Sequence, residues 1–122
     1  MQDARNFYIN GQWVAPQAGT DMAVIDPSTE EAYATISLGG QADTDAAVAA
    51  ARAAFPKWRL SSKAERLELM ENILDVYMKR SDEMGATSSR EMGAPSDMAK
   101  VQQSGTGSFH IKAFIEALKA LM

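Results

Sequence analysis

A chain of 122 residues, 46% hydrophobic and 23% charged, has the make-up of a globular protein, either one domain or part of one. A net charge of −4, with its twelve Lys and Arg scattered, excludes the basic patch that nucleic-acid binding needs. The absence of cysteine excludes disulfides, thiolate metal sites and a cysteine nucleophile within these residues, and no apolar run reaches the roughly 20 residues that span a bilayer.

The opening MQDARNFYIN lacks a basic start followed by an apolar stretch, so no secretory leader is expected and a cytoplasmic location is. Phe7 to Val14 holds Asn10-Gly11 between short apolar runs, the pair that a type I′ hairpin turn favours. Thr20–Ile25 and Ala32–Leu38 read as two further strands around the turn Asp26-Pro27-Ser28-Thr29-Glu30. Residues 7–38 are therefore expected to form small antiparallel hairpins, and Gly39-Gly40 a break.

Asp43 is placed as the N-cap of an alanine-rich helix that Pro56 should stop. Its apolar stripe is Val48, Ala51 and Phe55, and its small side chains suggest a buried scaffold. Ser62 and Glu65 have capping-box spacing ahead of a second helix. Leu67, Met70, Ile73, Leu74, Tyr77 and Met78 give that helix the clearest amphipathic pattern in the chain. A third helix opens at Ser81-Asp82-Glu83 and ends at Gly93, and a fourth starts at Ala94-Pro95-Ser96. Gly105 and Gly107 fall inside the fourth, which implies a bend or a neighbour too close for a side chain. Phe114, Ile115, Leu118, Leu121 and Met122 carry an apolar stripe to the last residue without a stop signal, which reads as truncation.

The order and spacing of several short motifs resemble one family. They are FYINGQWV (7–14), VIDPSTEE (24–31), ARAAFPKW (51–58), AER (64–66) and EMGAP (91–95). Together they resemble the N-terminal part of the NAD(P)-dependent aldehyde dehydrogenases, over nearly the whole chain. The resemblance implies an α/β fragment: N-terminal antiparallel β-hairpins (7–38) followed by about four α-helices (43–121), part of the cofactor-binding domain. It also implies an enzyme that oxidises a small-molecule aldehyde to a carboxylic acid with NAD or NADP, as a homo-oligomer when complete. Its cysteine nucleophile, glutamate base, oxyanion-hole asparagine and main cofactor-binding strands would lie beyond residue 122, so the 122-residue chain by itself is expected to be inactive. Three positions depart from the usual pattern. Asp26 stands where asparagine is frequent, Glu30 where glycine is frequent and Ala94 where lysine is frequent, so strain in the turn at 26–30 is expected.

No catalytic or cofactor-binding residue is assigned within the chain. Gly105-x-Gly107 lacks the preceding strand and further glycine or lysine of a phosphate loop, so close helix packing is preferred. The resemblance implies that this helix lines the substrate entrance, with Gln102 and Thr106 facing it. Glu91 resembles the family's acidic position at a monovalent-cation site, where backbone carbonyls around Val24 and Ile25 would be the other ligands. The plainer reading, a carboxylate near a helix C-terminus, is preferred because a third ligand would lie outside the chain. His110, the single histidine, is read as structural, Met70, Met78, Met84 and Met92 as core filler, and Trp13 and Trp58 as core anchors. The alternative to an enzyme segment is a non-catalytic helical interaction module built on the same framework.

Overall fold

The computed structural model describes residues 1–121. Met122, the end of the expected apolar stripe, lies outside the described residues. Internal contacts divide the chain into two compact units, Met1–Leu60 and Ser61–Met122.

The first unit consists of Gln2–Ala4 (β1), Phe7–Ile9 (β2), Gln12–Val14 (β3), Thr20–Asp26 (β4), Glu31–Leu38 (β5) and the helix Gln41–Trp58 (α1). β2 and β3 form the expected hairpin, with Asn10 at φ 53° and Gly11 at φ 76°. Positive φ at both central residues is what a type I′ turn requires. β4 and β5 form the second antiparallel pair, as expected. β1 was not expected. It runs parallel to β5, Gln2 opposite Ala34 and Ala4 opposite Ile36, so the strands are not all antiparallel. Gln-Asp-Ala has no strand signature; the backbone edge of β5 recruits it. Arg5 then bridges Asp3 at 2.7 Å and Asp21 at 3.2 Å, and its guanidinium holds the Asp3 carboxyl down at about 2. All three groups are exposed, so this clip adds little stability.

The β4–β5 register steps from Val24 opposite Ala34 to Ile25 opposite Ala32, making Tyr33 the extra residue of a bulge. At the turn, the Asp26 carbonyl accepts the Glu30 N–H at 2.8 Å, and Asp26 Oδ1 accepts the Ser28 N–H at 2.9 Å. Glu30 sits at φ 59°, in the left-handed region. The strain expected where glycine is usual is therefore present in the backbone.

Asp43 is not the N-cap. Gly40 is, and Asp43 lies at the third helical position, where Oδ2 accepts the Gly40 N–H at 2.9 Å. That is one half of a capping box, the half a glycine N-cap leaves available. Oδ1 accepts the Gln17 N–H at 2.7 Å, so one carboxylate ties the β3–β4 loop to the start of α1. Pro56 does not end α1 either. It sits in the last turn, where the only ladder bond it deletes is its own, and the Arg59 N–H still reaches the Phe55 carbonyl at 2.9 Å. Nor is α1 a buried scaffold within this chain. Asp43 is its one buried residue, while Val48, Phe55 and Trp58 are exposed. Trp13 is likewise 71% exposed, so neither tryptophan anchors a core here.

The second unit contains Lys63–Lys79 (α2), Ser81–Met92 (α3), the short helix Ser96–Met98 (α4), a π-helical turn Ala99–Ser104, and Gly105–Ala120 (α5). The capping box at α2 is formed: Ser62 Oγ accepts the Glu65 N–H at 3.2 Å, and Glu65 Oε2 accepts the Ser62 N–H at 2.7 Å. Gly93, at φ 68°, ends α3 with its N–H on the Ser89 carbonyl. Lys63 Nζ donates to the carbonyls of Lys119 and Leu121, a side-chain cap for the end of α5. On α2, Leu67, Met70, Leu74 and Tyr77 are half-buried, whereas Leu69, Ile73 and Val76 form a second, exposed apolar row. Met78, Met84 and Met92 are exposed as well and do not fill a core in this chain.

The accessible surface of the chain is 9028 Å². A compact protein of this mass exposes about 6,400 Å², and two separate compact bodies of half the mass about 7,700 Å² between them. The excess therefore does not depend on how the two units are arranged. Taken together, the two units are under-buried for their size.

Two substitutions probe the first unit in urea titrations followed by circular dichroism. Backbone N–H donors at Gln17 and Gly40 hold the Asp43 carboxyl below its ordinary 3.8. A depressed carboxyl stabilises the fold above its unfolded value, and that contribution fades as pH falls from 3.8 toward the folded value. Asp43→Asn is expected to lower the midpoint at pH 7 and to flatten its decline below pH 4; an unchanged acid limb would contradict the assignment. Glu30→Gly is expected to raise stability by about 0.5–1 kcal/mol, the left-handed penalty less glycine's extra chain entropy.

Candidate functional site

The segment Ser96 to Phe109 departs most from regular helix, and the sequence explains why. Gly93 ends α3, and after Pro95 the expected fourth helix starts as α4, widens into the π-helical turn, then tightens into α5. Such turns carry an additional residue and occur often at functional sites. Here neighbouring helices brace it. Ala99 is wholly buried and Ser104 is 2% exposed. The Ser104 hydroxyl donates to the Lys100 carbonyl at 2.9 Å, with the Ser81 carbonyl 3.3 Å away. A Cβ on Gly85 of α3 would stand 2.9 Å from Lys100 Cα, so only glycine lets α3 lie against the turn. Lys100 Nζ pairs with Asp82 at 2.5 Å, and that hydrogen bond raises the ammonium pKa.

From α2, the Tyr77 hydroxyl donates to the Ser104 carbonyl at 2.9 Å. A Cβ on Gly107 would stand 2.1 Å from the Tyr77 hydroxyl oxygen and 2.6 Å from Cζ. Of the two outcomes expected from the paired glycines, close approach holds at Gly107. At Gly105 it does not, since a Cβ there would meet nothing within 4 Å. Helix continues on both sides of the glycines, the packing context and not that of a phosphate loop.

Gln102 and Thr106 are both exposed, and the structure joins them: Thr106 Oγ1 donates to the Gln102 carbonyl at 2.5 Å. The threonine hydroxyl is thus engaged by its own helix, leaving side-chain bulk as what Thr106 presents. Val101 and Phe109 beside them are 71% and 68% exposed. His110 is exposed, its ring edge-on to Phe109 with centroids 5.6 Å apart. Val24 and Ile25 are adjacent at the β4–β5 bulge in the first unit, and Glu91 lies in the last turn of α3 in the second. Among the described residues, no three His, Cys, Asp or Glu side chains cluster as a metal site would need. Among the described residues, no helix is long and apolar enough to cross a membrane.

The sequence profile of the aldehyde dehydrogenase family matches residues 13–122. The chain belongs to that family. Its backbone superimposes on an aldehyde dehydrogenase from Bartonella henselae with a TM-score of 0.98 and 52% identity, covering 100% of this chain and 26% of that one. A mutant of aldehyde dehydrogenase C from Pseudomonas syringae, solved with NAD+ and octanal, gives 0.94 and 36% over 98% of this chain and 24% of its own. A 3-succinoylsemialdehyde-pyridine dehydrogenase from Pseudomonas sp. is 45% identical over 95 residues, 78% of this chain and 20% of that protein. The chain thus spans a fifth to a quarter of the length of these relatives. The α/β order, short strands then helices, agrees with the corresponding part of the solved aldehyde dehydrogenases, and α4, the π-helical turn and α5 together make the fourth helix that was expected.

Two features of this aldehyde dehydrogenase segment escaped the sequence. Tyr77 was placed in the apolar stripe of α2 without its polar contact, whose partner lies 27 residues away. Gly85, an isolated glycine inside a helical pattern, was the one available signal of the α3 contact. A groove of about 540 Å³ also runs between α2 and α3, lined by Ile73, Val76 and Met84 with the Arg80–Glu83 pair at 2.8 Å. It lies beside the exposed second row of α2.

The glycines give a paired prediction. Gly107→Ala is expected to destabilise the second unit by about 1–3 kcal/mol, because the new methyl collides with Tyr77. Gly105→Ala, in open space with helical φ −60°, is expected to stabilise it by up to about 1 kcal/mol. Equal effects in urea titrations would contradict the packing account.

Proposed function

We propose that this chain is the N-terminal part of the NAD(P)-binding domain, residues 1–122, of an aldehyde dehydrogenase that oxidises an aldehyde to a carboxylic acid. The observation that carries the reading is a 0.98 TM-score at 52% identity along the whole chain. The reaction needs a thiolate nucleophile, and with no cysteine here that group belongs to another part of the complete enzyme. The cofactor, NAD or NADP, supplies hydride acceptance when bound. The contribution of this chain is to shape and to position.

In that reading Gln102 and Thr106 border the substrate entrance. Their exposure and their position on the π-helical turn and the first turn of α5 support it. Glu91 keeps the plainer of its two readings, a carboxylate in the last turn of α3. A homo-oligomer in the cytoplasm completes the proposal. The exposed apolar rows of α1 and α2 weigh against a self-sufficient interaction module.

The test is a complete enzyme in which this chain replaces the matched quarter of the Bartonella henselae aldehyde dehydrogenase. It is expected to oxidise aldehydes with NAD or NADP, and Thr106→Trp is expected to raise KM for aldehydes of octanal length about tenfold while sparing two-carbon aldehydes. A folded, cofactor-binding hybrid without aldehyde oxidation would overturn the enzyme reading. An unaltered chain-length profile in Thr106→Trp would overturn the entrance assignment.

A further inference from the structure

The π-helical turn is braced from three places distant in sequence, and they differ in kind. Gly85 lets α3 come within van der Waals contact of Lys100, which fixes the turn laterally. Ser104, almost wholly buried, is held at its hydroxyl near the carbonyl of Ser81, where α2 gives way to α3. Tyr77 acts where the wide turn passes into α5, and it does so with two features of one side chain. Its ring occupies the space a Gly107 side chain would take, and its hydroxyl donates to the Ser104 carbonyl.

That junction decides how the helix is phased. A π-helical turn accommodates one residue more than an α-helical turn, so loss of the widening would rotate residues before it by about 100° relative to those after it. Gln102 lies within the turn and Thr106 just beyond it, so their relative placement depends on the junction. The 2.5 Å bond from the Thr106 hydroxyl to the Gln102 carbonyl spans the same point. Tyr77 both bonds the Ser104 carbonyl and supplies the three nearest atoms in the space above Gly107.

We propose that Tyr77 is a positioning residue for aldehyde recognition: wedged over Gly107 and bonded to the Ser104 carbonyl, it holds the π-helical turn that sets where Gln102 and Thr106 stand. The inference rests on the reading of those two residues as entrance side chains. Tyr77 acts through them and touches no substrate. Val101 and Phe109, the exposed apolar neighbours of the pair, move with the same turn and extend its effect to the apolar part of a longer aldehyde.

The experiment compares Tyr77→Phe, Thr106→Trp and the double variant in the complete enzyme that carries this chain, over a series of unbranched aldehydes from two to ten carbons. Tyr77→Phe keeps the ring and removes one hydrogen bond, so the wedge over Gly107 persists and folding is retained. Its expected effect is a KM change of several-fold for the long aldehydes, kcat for the two-carbon aldehyde within twofold of the parent, and faster amide exchange across residues 104–108. The double variant is expected to show less than the product of the single effects, since both act on the same side chains. A purely structural tyrosine would instead lower thermal stability and reduce activity by one common factor for every aldehyde. That result, or an unchanged KM profile in Tyr77→Phe while Thr106→Trp alters its own, overturns the positioning role and leaves the entrance reading standing. An inert Thr106→Trp overturns both.

Discussion

Apolar burial is the constraint that shapes everything else in this chain. Among the described residues, the hydrophobic side chains that are buried are Ala34, Ala99 and Ile115, two of them alanines. Side chains so small return little of the roughly 25 cal/mol per Å² that burial provides. Order in each unit therefore leans on placed polar contacts and on backbone proximity. In the first unit a single carboxylate, Asp43, collects N–H groups from two loops. In the second, Gly85 lets α3 lie against the backbone of Lys100, and Tyr77 fills the space above Gly107 while bonding the Ser104 carbonyl.

The same shortage explains the surfaces. α2 presents one apolar row to α5 and another, Leu69, Ile73 and Val76, to solvent, and α1 exposes Val48, Phe55 and Trp58. A helix with two apolar sides is suited to a position between two neighbours. The proposed role supplies a rationale: in a complete enzyme of the length of the matched relatives, such faces would be covered. In the proposed enzyme this chain would contribute geometry, and the π-helical turn is where its own backbone leaves regular α-helix.

What could be read from the sequence was local. Asn10-Gly11, the Ser62–Glu65 capping box and Gly93 are signals whose cause and effect lie within four residues, and each is formed as the residue types dictate. Glu30 at a left-handed position was legible only through comparison with the family pattern. Asp43 was recognised as a helix-start residue but misplaced by three positions, because its second partner, Gln17, lies 26 residues away. Pro56 was given too much weight, since a proline in a last turn removes one bond and not a helix. β1 left no trace in composition, because an existing strand edge organises it. The tryptophans and methionines were assigned to a core by residue type, and residue type does not say which part of a longer chain supplies the other side. Of the candidate site, Gln102 and Thr106 were named through family likeness and Gly107 was singled out through its helix cost, while the contact of Tyr77 stayed hidden behind its apolar spacing.

The central claim is that these two units cannot cover their own apolar faces. Sedimentation velocity of the purified 122-residue chain over a hundredfold concentration range tests it most directly. Concentration-dependent association is the predicted result, as exposed rows on α1 and α2 find one another. A single monomeric boundary at every concentration would contradict it.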